Sequence, residues 1–262
     1  MAAPITTDFS KVKALYFDIY ATLIDWEPSM LTALSSLIQS LPESDPRRAD
    51  TLANQQALLR AYASNEKAVE HEFPTMPYPK ILETVYGRLA SQFAVDFEEK
   101  DAVAFGYSIG AWAAFPDSVA GMQTLSKYYK LFALSNVDNE SFGRTLAGPL
   151  KGVKFDGIYT AQDIGSYKPD PKNYKYCLEH IKTDFGIEAE EALIVCQSLD
   201  IDHVGTKALN LQPGIWIARN RGVTAMGGNY EELLAAGKIK LGATFDSLGE
   251  LAAAVEQSLE KP

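Results

Sequence analysis

Asp18 is the first residue in this chain whose surroundings suit it for chemistry. It follows Ala14-Leu15-Tyr16-Phe17 and opens the stretch Asp18-Ile19-Tyr20-Ala21-Thr22-Leu23. A carboxylate with no Ser, Cys or His nucleophile beside it can itself attack, forming a covalent ester that water later hydrolyses. Such a nucleophile must stay ionised near neutral pH, which a close ammonium group favours. Later stretches offer the remaining parts: Ser135 and Asn136, then Lys168 and Tyr174, then Ser198, Asp200 and Asp202. Lys168 is the candidate ammonium. Thr22, Ser135 and Asn136 can orient nucleophile or substrate, and Asp202 can position or deprotonate a water. Each residue also has an ordinary reading. Thr22 and Asp202 can cap helices, Ser135 and Asn136 can turn a chain at a strand end, Lys168 can be a solvated charge, and Tyr174 can be packing.

These groups act together only if the fold brings them to one edge. The apolar run before Asp18 reads as a strand buried on both faces, as in a parallel sheet covered by helices. Similar runs occupy Lys130 to Asn136, Phe155 to Thr160, Ala192 to Cys196 and Gly214 to Ala218. Helical patterns lie between them, at Asp117 to Tyr128, Glu140 to Leu150, Lys172 to Ile181 and Asp202 to Leu209. The chain closes with a short extended piece at Phe245 and a helix to Leu259. Alternating strands and helices predict an α/β, doubly wound parallel sheet, and in such sheets ligands bind at the carboxyl ends of the strands. Between the first two strands, four helical stretches, near 29–41, 47–72, 81–93 and 98–111, are punctuated by prolines. We therefore expect a core domain of residues 1–27 and 112–262 with an inserted α-helical cap of residues 28–111. Such a cap can close over the strand ends and exclude water.

Of the 262 residues, 47% are hydrophobic, enough for a packed core, and 22% are charged. A formal net charge of −10 argues against nucleic acid and anionic membranes as partners. The two cysteines, Cys177 and Cys196, sit in apolar settings with no metal-like spacing and fit small buried hydrophobes in a reducing compartment. No secretory signal pattern or membrane-length apolar run occurs, and a cytoplasmic location is expected.

Four segments in this order resemble the motifs of the haloacid dehalogenase superfamily of hydrolases. They are Phe17-Asp18-Ile19-Tyr20-Ala21-Thr22-Leu23, Leu134-Ser135-Asn136, Tyr167-Lys168-Pro169-Asp170-Pro171 and Ser198-Leu199-Asp200-Ile201-Asp202. Within the superfamily the chain is most similar to the type II L-2-haloacid dehalogenases. The discriminating residue is Tyr20. Most phosphatases of the superfamily place there a second Asp that protonates a departing alkoxide, and halide leaves without a proton. The resemblance implies a Rossmann-like core and a hydrolytic dehalogenation of a small anionic 2-haloacid, with no cofactor. Asp18 would attack the halogen-bearing carbon, Lys168 would support its charge, and Asp202 would help water cleave the ester. Thr22 and Ser135 complete the catalytic set; Tyr20, Asn136, Tyr174 and Ser198 would contact substrate. In the cap, Gln56 stands where those dehalogenases have an anion-binding Arg, with Arg60 one turn away. Ala21 replaces their usual Gly, Leu199 an Asn and Ile201 an aromatic residue. His203 reads as a neighbour of the site, and His71 as an ordinary helix-end histidine near a proline break. A homodimer is compatible with the resemblance. Two other readings are a phosphatase with Mg²⁺ on Asp18, Asp202 and a backbone carbonyl, and a non-catalytic member that binds a metabolite.

Overall fold

The computed structural model describes residues 5–219 and 227–260. Six strands form one sheet in the order β3-β2-β1-β4-β5-β6, with every neighbouring pair parallel. They are β1 (Ala14–Phe17), β2 (Lys130–Ser135), β3 (Gly157–Thr160), β4 (Ala192–Cys196), β5 (Gly214–Ile217) and β6 (Leu241–Phe245). The chain moves from β1 out to β3, then returns to place β4 on the other side of β1. That reversal opens a crevice at the carboxyl ends of β1 and β4, where ligands of open α/β sheets bind.

Five helices are inserted between β1 and β2: α1 (Trp26–Ala33), α2 (Ser35–Gln39), α3 (Leu52–Glu72), α4 (Tyr78–Phe93) and α5 (Glu99–Ser108). They pack on one another, α1 on α3, α3 on α4, and α4 on α5. The others join or flank the strands. α6 (Ser118–Leu125) leads into β2, α7 (Asn139–Ala147) follows it, and α8 (Ala161–Ile164) and α9 (Pro171–Phe185) lie between β3 and β4. α10 (Val204–Ala208), α11 (Tyr230–Ala235) and α12 (Leu248–Leu259) complete the chain.

Side chains of a strand alternate between faces, and β1 shows how both are covered. Leu15 and Phe17 join a core with Met122 and Leu125 of α6 and Leu248, Leu251 and Val255 of α12. Ala14 and Tyr16 join one with Tyr174, Cys177 and Ile181 of α9. Both cysteines are buried and free. No helix among the described residues is long and apolar enough to cross a membrane.

Three elements differ from the sequence expectation. The helix expected over 29–41 is two helices, because Leu34 leaves helical geometry at φ −88° and ψ 2°. The helix expected from Arg47 starts at Leu52, where the Thr51 hydroxyl caps it, and Pro46–Arg48 is a separate 3-10 turn. The extended piece at Phe245 is the end of a full strand, β6. Gly242 and Thr244 interrupt its apolar pattern, and pairing with β5 secures it instead.

Candidate active site

The site grows from the loop that leaves β1. Phe17 is in register with Ala133 of β2 and Val195 of β4, so Asp18 emerges between two strands. Its N–H donates to the Val195 carbonyl at 3.2 Å. The loop then folds back on itself, with the N–H groups of Thr22, Leu23 and Ile24 all reaching the Ile19 carbonyl. That tight return forces Ala21 to φ +75°, the left-handed region that favours glycine, and so accounts for a Gly in the family pattern.

The return brings Thr22 beside Asp18. The Thr22 hydroxyl donates to Asp18 Oδ2 at 2.7 Å and accepts the Gln197 N–H at 2.9 Å. Because the incoming N–H fixes the hydroxyl as an acceptor on one side, its proton is directed at the carboxylate. On the other oxygen, Lys168 Nζ donates to Asp18 Oδ1 at 2.9 Å and to Asp202 Oδ1 at 2.9 Å. All four side chains are buried, Lys168 at 3% exposure and Asp202 at 1%.

The electrostatics follow from one ammonium serving two carboxylates. Burial opposes the charge on Lys168, but Asp18 and Asp202 outweigh it and its pKa is raised. Burial raises the Asp202 pKa to about 7, with Lys168 pulling it down and Asp18 pushing it up. The shared cation does not fully compensate both acids, and burial prevails at the less accessible one. A carboxylate poised near neutrality can take a proton from water at physiological pH. Asp202 sits in a π-helical turn, Leu199–His203, and its Oδ2 is buried without a partner. His203 in the same turn is kept neutral, its pKa lowered to about 3 by burial.

The other expected site residues divide into two groups. Ser135 stands at the end of β2, 3% exposed, and its hydroxyl oxygen is buried without a hydrogen-bond partner. Tyr20 is half-buried, hydrogen-bonds Thr145 through its hydroxyl at 2.9 Å and meets Trp112 edge-on. Burial drives its pKa up, which makes it a weaker acid than an unperturbed phenol. Gln56 lies half-buried on α3.

Three of the residues expected to contact substrate hold partners within the protein, and a fourth, Arg60, is exposed. Asn136 clasps the Lys168 backbone, accepting its N–H at 2.7 Å and donating to its carbonyl at 3.1 Å. Tyr174 is fully buried, and its hydroxyl donates to the Ile201 carbonyl at 3.0 Å. Gly205 makes this possible, since a Cβ there would come within 2.7 Å of the Tyr174 ring. The Ser198 hydroxyl caps the π-helical turn, accepting the Ile201 N–H and donating to Asp200. Arg60 is exposed, two residues from buried Tyr62 and hence on the opposite face of α3. The first three fix the positions of Lys168 and Asp202, and no hydrogen bond or ion pair joins Arg60 to these groups among the described residues.

Sequence reasoning also missed Arg219. Its guanidinium donates to the Thr22 carbonyl at 2.6 and 3.1 Å and to Asp117 Oδ1 at 2.7 Å, and lies 3.9 Å from the Phe115 ring centre. It thereby ties the Asp18 loop to the start of α6. A lone Arg after a strand carries no signal of that role.

No three His, Cys, Asp or Glu side chains converge as metal ligands among the described residues. Asp18 and Asp202 are nevertheless oxygen donors of the kind Mg²⁺ takes, and the unpartnered Asp202 Oδ2 is the atom fitted to hold it.

A family model for haloacid dehalogenase-like hydrolases matches residues 12–195. Among solved structures, the chain is similar to the L-2-haloacid dehalogenase PA0810, with 20% identity, a TM-score of 0.70, and 94% of this chain and 99% of that chain covered. The L-2-haloacid dehalogenase of Xanthobacter autotrophicus, solved with chloropropionic acid covalently bound, gives 15% identity and a TM-score of 0.71, covering 94% of this chain and 98% of that one. The HAD-hydrolase YfnB of Bacillus subtilis, solved with magnesium, gives 17% identity and a TM-score of 0.68, covering 94% and 99%. At such identities these structures establish the fold.

Proposed function

This chain belongs to the haloacid dehalogenase-like hydrolases, and on that footing we propose that Asp18 is the nucleophile of a two-step hydrolysis that releases halide from a small 2-haloacid. In the first step an Asp18 carboxylate oxygen forms a bond to C2 and the halogen leaves with its electron pair as halide. In the second, Asp202 takes a proton from a water whose oxygen adds to the Asp18 ester carbonyl. The ester opens to the 2-hydroxyacid, which leaves as its alkoxide oxygen is protonated, and Asp18 is restored. Lys168 keeps Asp18 ionised between turnovers, and Thr22 orients it. Ser135 is the candidate group for the substrate carboxylate.

The observation that carries this reading is the Lys168 ammonium, 2.9 Å from both Asp18 and Asp202. It couples a charged nucleophile to a base poised near pH 7. Tyr20 supports carbon–halogen over phosphate-ester cleavage, because it stands where a proton donor would be needed and its pKa is raised. The covalent chloropropionate adduct reported for the Xanthobacter enzyme supports the same chemistry. A second reading, an Mg²⁺-dependent phosphatase with the metal on Asp18 and Asp202, draws on the unpartnered Asp202 Oδ2 and on the magnesium bound by YfnB. Halide release from 2-chloropropionate and phosphate release from a generic monoester, each with Mg²⁺ and with chelator, separate the two. Chelator-resistant halide release that Asp18→Asn abolishes is expected. Metal-dependent phosphate release without halide release would replace the first reading with the second.

A further inference from the structure

Tyr167, the residue before Lys168, reaches from the sheet's loops to the helices inserted between β1 and β2. Its hydroxyl donates to the Met76 carbonyl at 2.6 Å, across 91 positions of sequence. Burial pushes the phenol pKa up, so the hydroxyl keeps its proton and stays a donor. The ring is engaged with the same segment, its centre 6.4 Å from that of Tyr78.

Both ends of this contact are stiff. Met76 lies in the turn between α3 and α4, which runs from Phe73 to Pro77. Pro74 and Pro77 fix their own φ, and Met76, preceding Pro77, is confined to extended backbone. The Met76 N–H closes the turn on the Phe73 carbonyl at 3.1 Å. At the start of α4, the Lys80 and Ile81 N–H groups both go to the Pro77 carbonyl, at 2.9 and 3.1 Å. The helix's own bonds thus begin one residue after Met76, whose carbonyl lies outside the ladder where a side-chain donor can reach it. Tyr78 beside it is buried, and its hydroxyl donates to Glu66. On the core side, the Asp170 N–H closes a turn on the Tyr167 carbonyl at 3.1 Å, and Asn136 clasps the Lys168 backbone.

The backbone that carries Lys168 is therefore held from two directions. Asn136 holds it from the end of β2 and, one residue earlier, the α3–α4 turn holds it from the cap. The Lys168 ammonium has to sit 2.9 Å from two carboxylates at once. Misplacing a group at the reacting centre by about 1 Å can cost about a hundredfold in rate. Because Met76 belongs to the inserted helices and Tyr167 to the core, lifting one from the other breaks this hydrogen bond.

We propose that Tyr167 is a positioning residue: its hydroxyl, bonded to the Met76 carbonyl, seats the inserted helices on the Lys168 loop and thereby holds the Lys168 ammonium between Asp18 and Asp202. Assembly of the charged site is in this way tied to the position of the cap. The preceding reading is needed only for the role of Lys168 in turnover; the seating itself does not depend on the substrate.

Tyr167→Phe, which keeps the ring and deletes the hydroxyl, tests this against the wild type and against Tyr128→Phe. The latter deletes an exposed phenol bond to Glu260 elsewhere on the core. Reductive methylation with formaldehyde and cyanoborohydride, read by peptide mass, measures protection of the Lys168 amine, with exposed Lys172 as internal reference. Losing one hydrogen bond shifts the seated population by about three- to tenfold. In Tyr167→Phe, labelling of Lys168 and hydrogen exchange of the Thr75 and Met76 amides should each quicken by about that factor. In Tyr128→Phe both should stay at the wild-type rate. The kcat for halide release from 2-chloropropionate should fall by a similar factor in Tyr167→Phe, with KM changed by less than about twofold. Unchanged Lys168 labelling in Tyr167→Phe, the same change in Tyr128→Phe, or quicker labelling with kcat unaltered overturns the proposal. A wild type that releases no halide removes the dehalogenation reading alone, because labelling and exchange still decide the seating. Halide release with labelling and exchange untouched in Tyr167→Phe removes this proposal alone.

Discussion

Replacing Lys168 with Met removes one charge and keeps the packing volume. Lys168 is 3% exposed, and its ammonium lies between Asp18 Oδ1 and Asp202 Oδ1 at 2.9 Å each. Breaking a buried ion pair by deleting one partner costs about 3–5 kcal/mol, because the other charge is left uncompensated. For a chain of this size that corresponds to a fall of about 6–20 °C in Tm. The loss must depend on pH. In the wild type Asp202 is raised from 3.8 to about 7. Between those values the native state holds more protons than the unfolded chain, so stability falls as pH rises through that window. In Lys168→Met the two carboxylates confront each other with no cation and titrate as a coupled pair. The native state then keeps its extra proton to higher pH, and the fall in stability continues above pH 7. Urea unfolding of both proteins at intervals from pH 5 to pH 8 should give a small difference at the acid end and the full loss at the alkaline end. Turnover should be lost throughout. A difference constant across the range, or none at pH 8, would refute the assignment of Lys168 as the shared counter-charge.

Four further outcomes follow from the same contacts. Thr22→Val leaves the buried Gln197 N–H and Asp18 Oδ2 without their partner. It should cost about 1–3 kcal/mol in urea unfolding and lower kcat, with Thr22→Ser restoring most of both. Tyr174→Phe deletes the hydrogen bond to the Ile201 carbonyl and the weaker one to Asp202 Oδ1 at 3.5 Å. Stability should fall by about 1 kcal/mol and kcat should drop with KM little changed. Arg219→Ala leaves the Thr22 carbonyl and Asp117 Oδ1 without their partner, and unfolding curves should show a loss of about 2–4 kcal/mol, reduced in Arg219→Lys. Ala21→Gly relieves the left-handed backbone at the loop turn; after allowance for the freer unfolded chain it should be neutral to about 1 kcal/mol stabilising, and a clear destabilisation would contradict the strain.

Residues that act through both type and place were readable from the sequence. β1, β2, β4 and β5 were marked by apolar runs of the kind a sheet covered on both faces requires, and β3 by a shorter stretch beside Asp156 and Gly157. Asp18, Thr22, Lys168 and Asp202 could be grouped because each follows a strand or opens a loop on the same edge. The structure brings those four within hydrogen-bonding reach of one another. What pattern could not give was the target of each polar side chain. Asn136, Tyr174 and Ser198 are adjacent to the chemistry in sequence, yet their polar atoms turn to the backbone of Lys168, the Ile201 carbonyl and the π-helical turn. Arg219 acts across a long sequence distance, and nothing local distinguishes it from a solvated charge. Only the Phe245 end of β6 was legible, because a Gly and a Thr break its apolar run, and pairing with β5 secures the rest.

The central claim is that Asp18 forms and loses a covalent ester. A single turnover of 2-chloropropionate by excess enzyme in heavy-oxygen water tests it directly, with the mass of the Asp18 peptide and of the product read together. Water attacking the ester carbonyl places the heavy oxygen in Asp18, so the peptide should gain the label and the first product molecule should carry ordinary oxygen. Label appearing in the product while the peptide stays unlabelled would mean that water attacks the substrate itself, and Asp18 would not be the nucleophile.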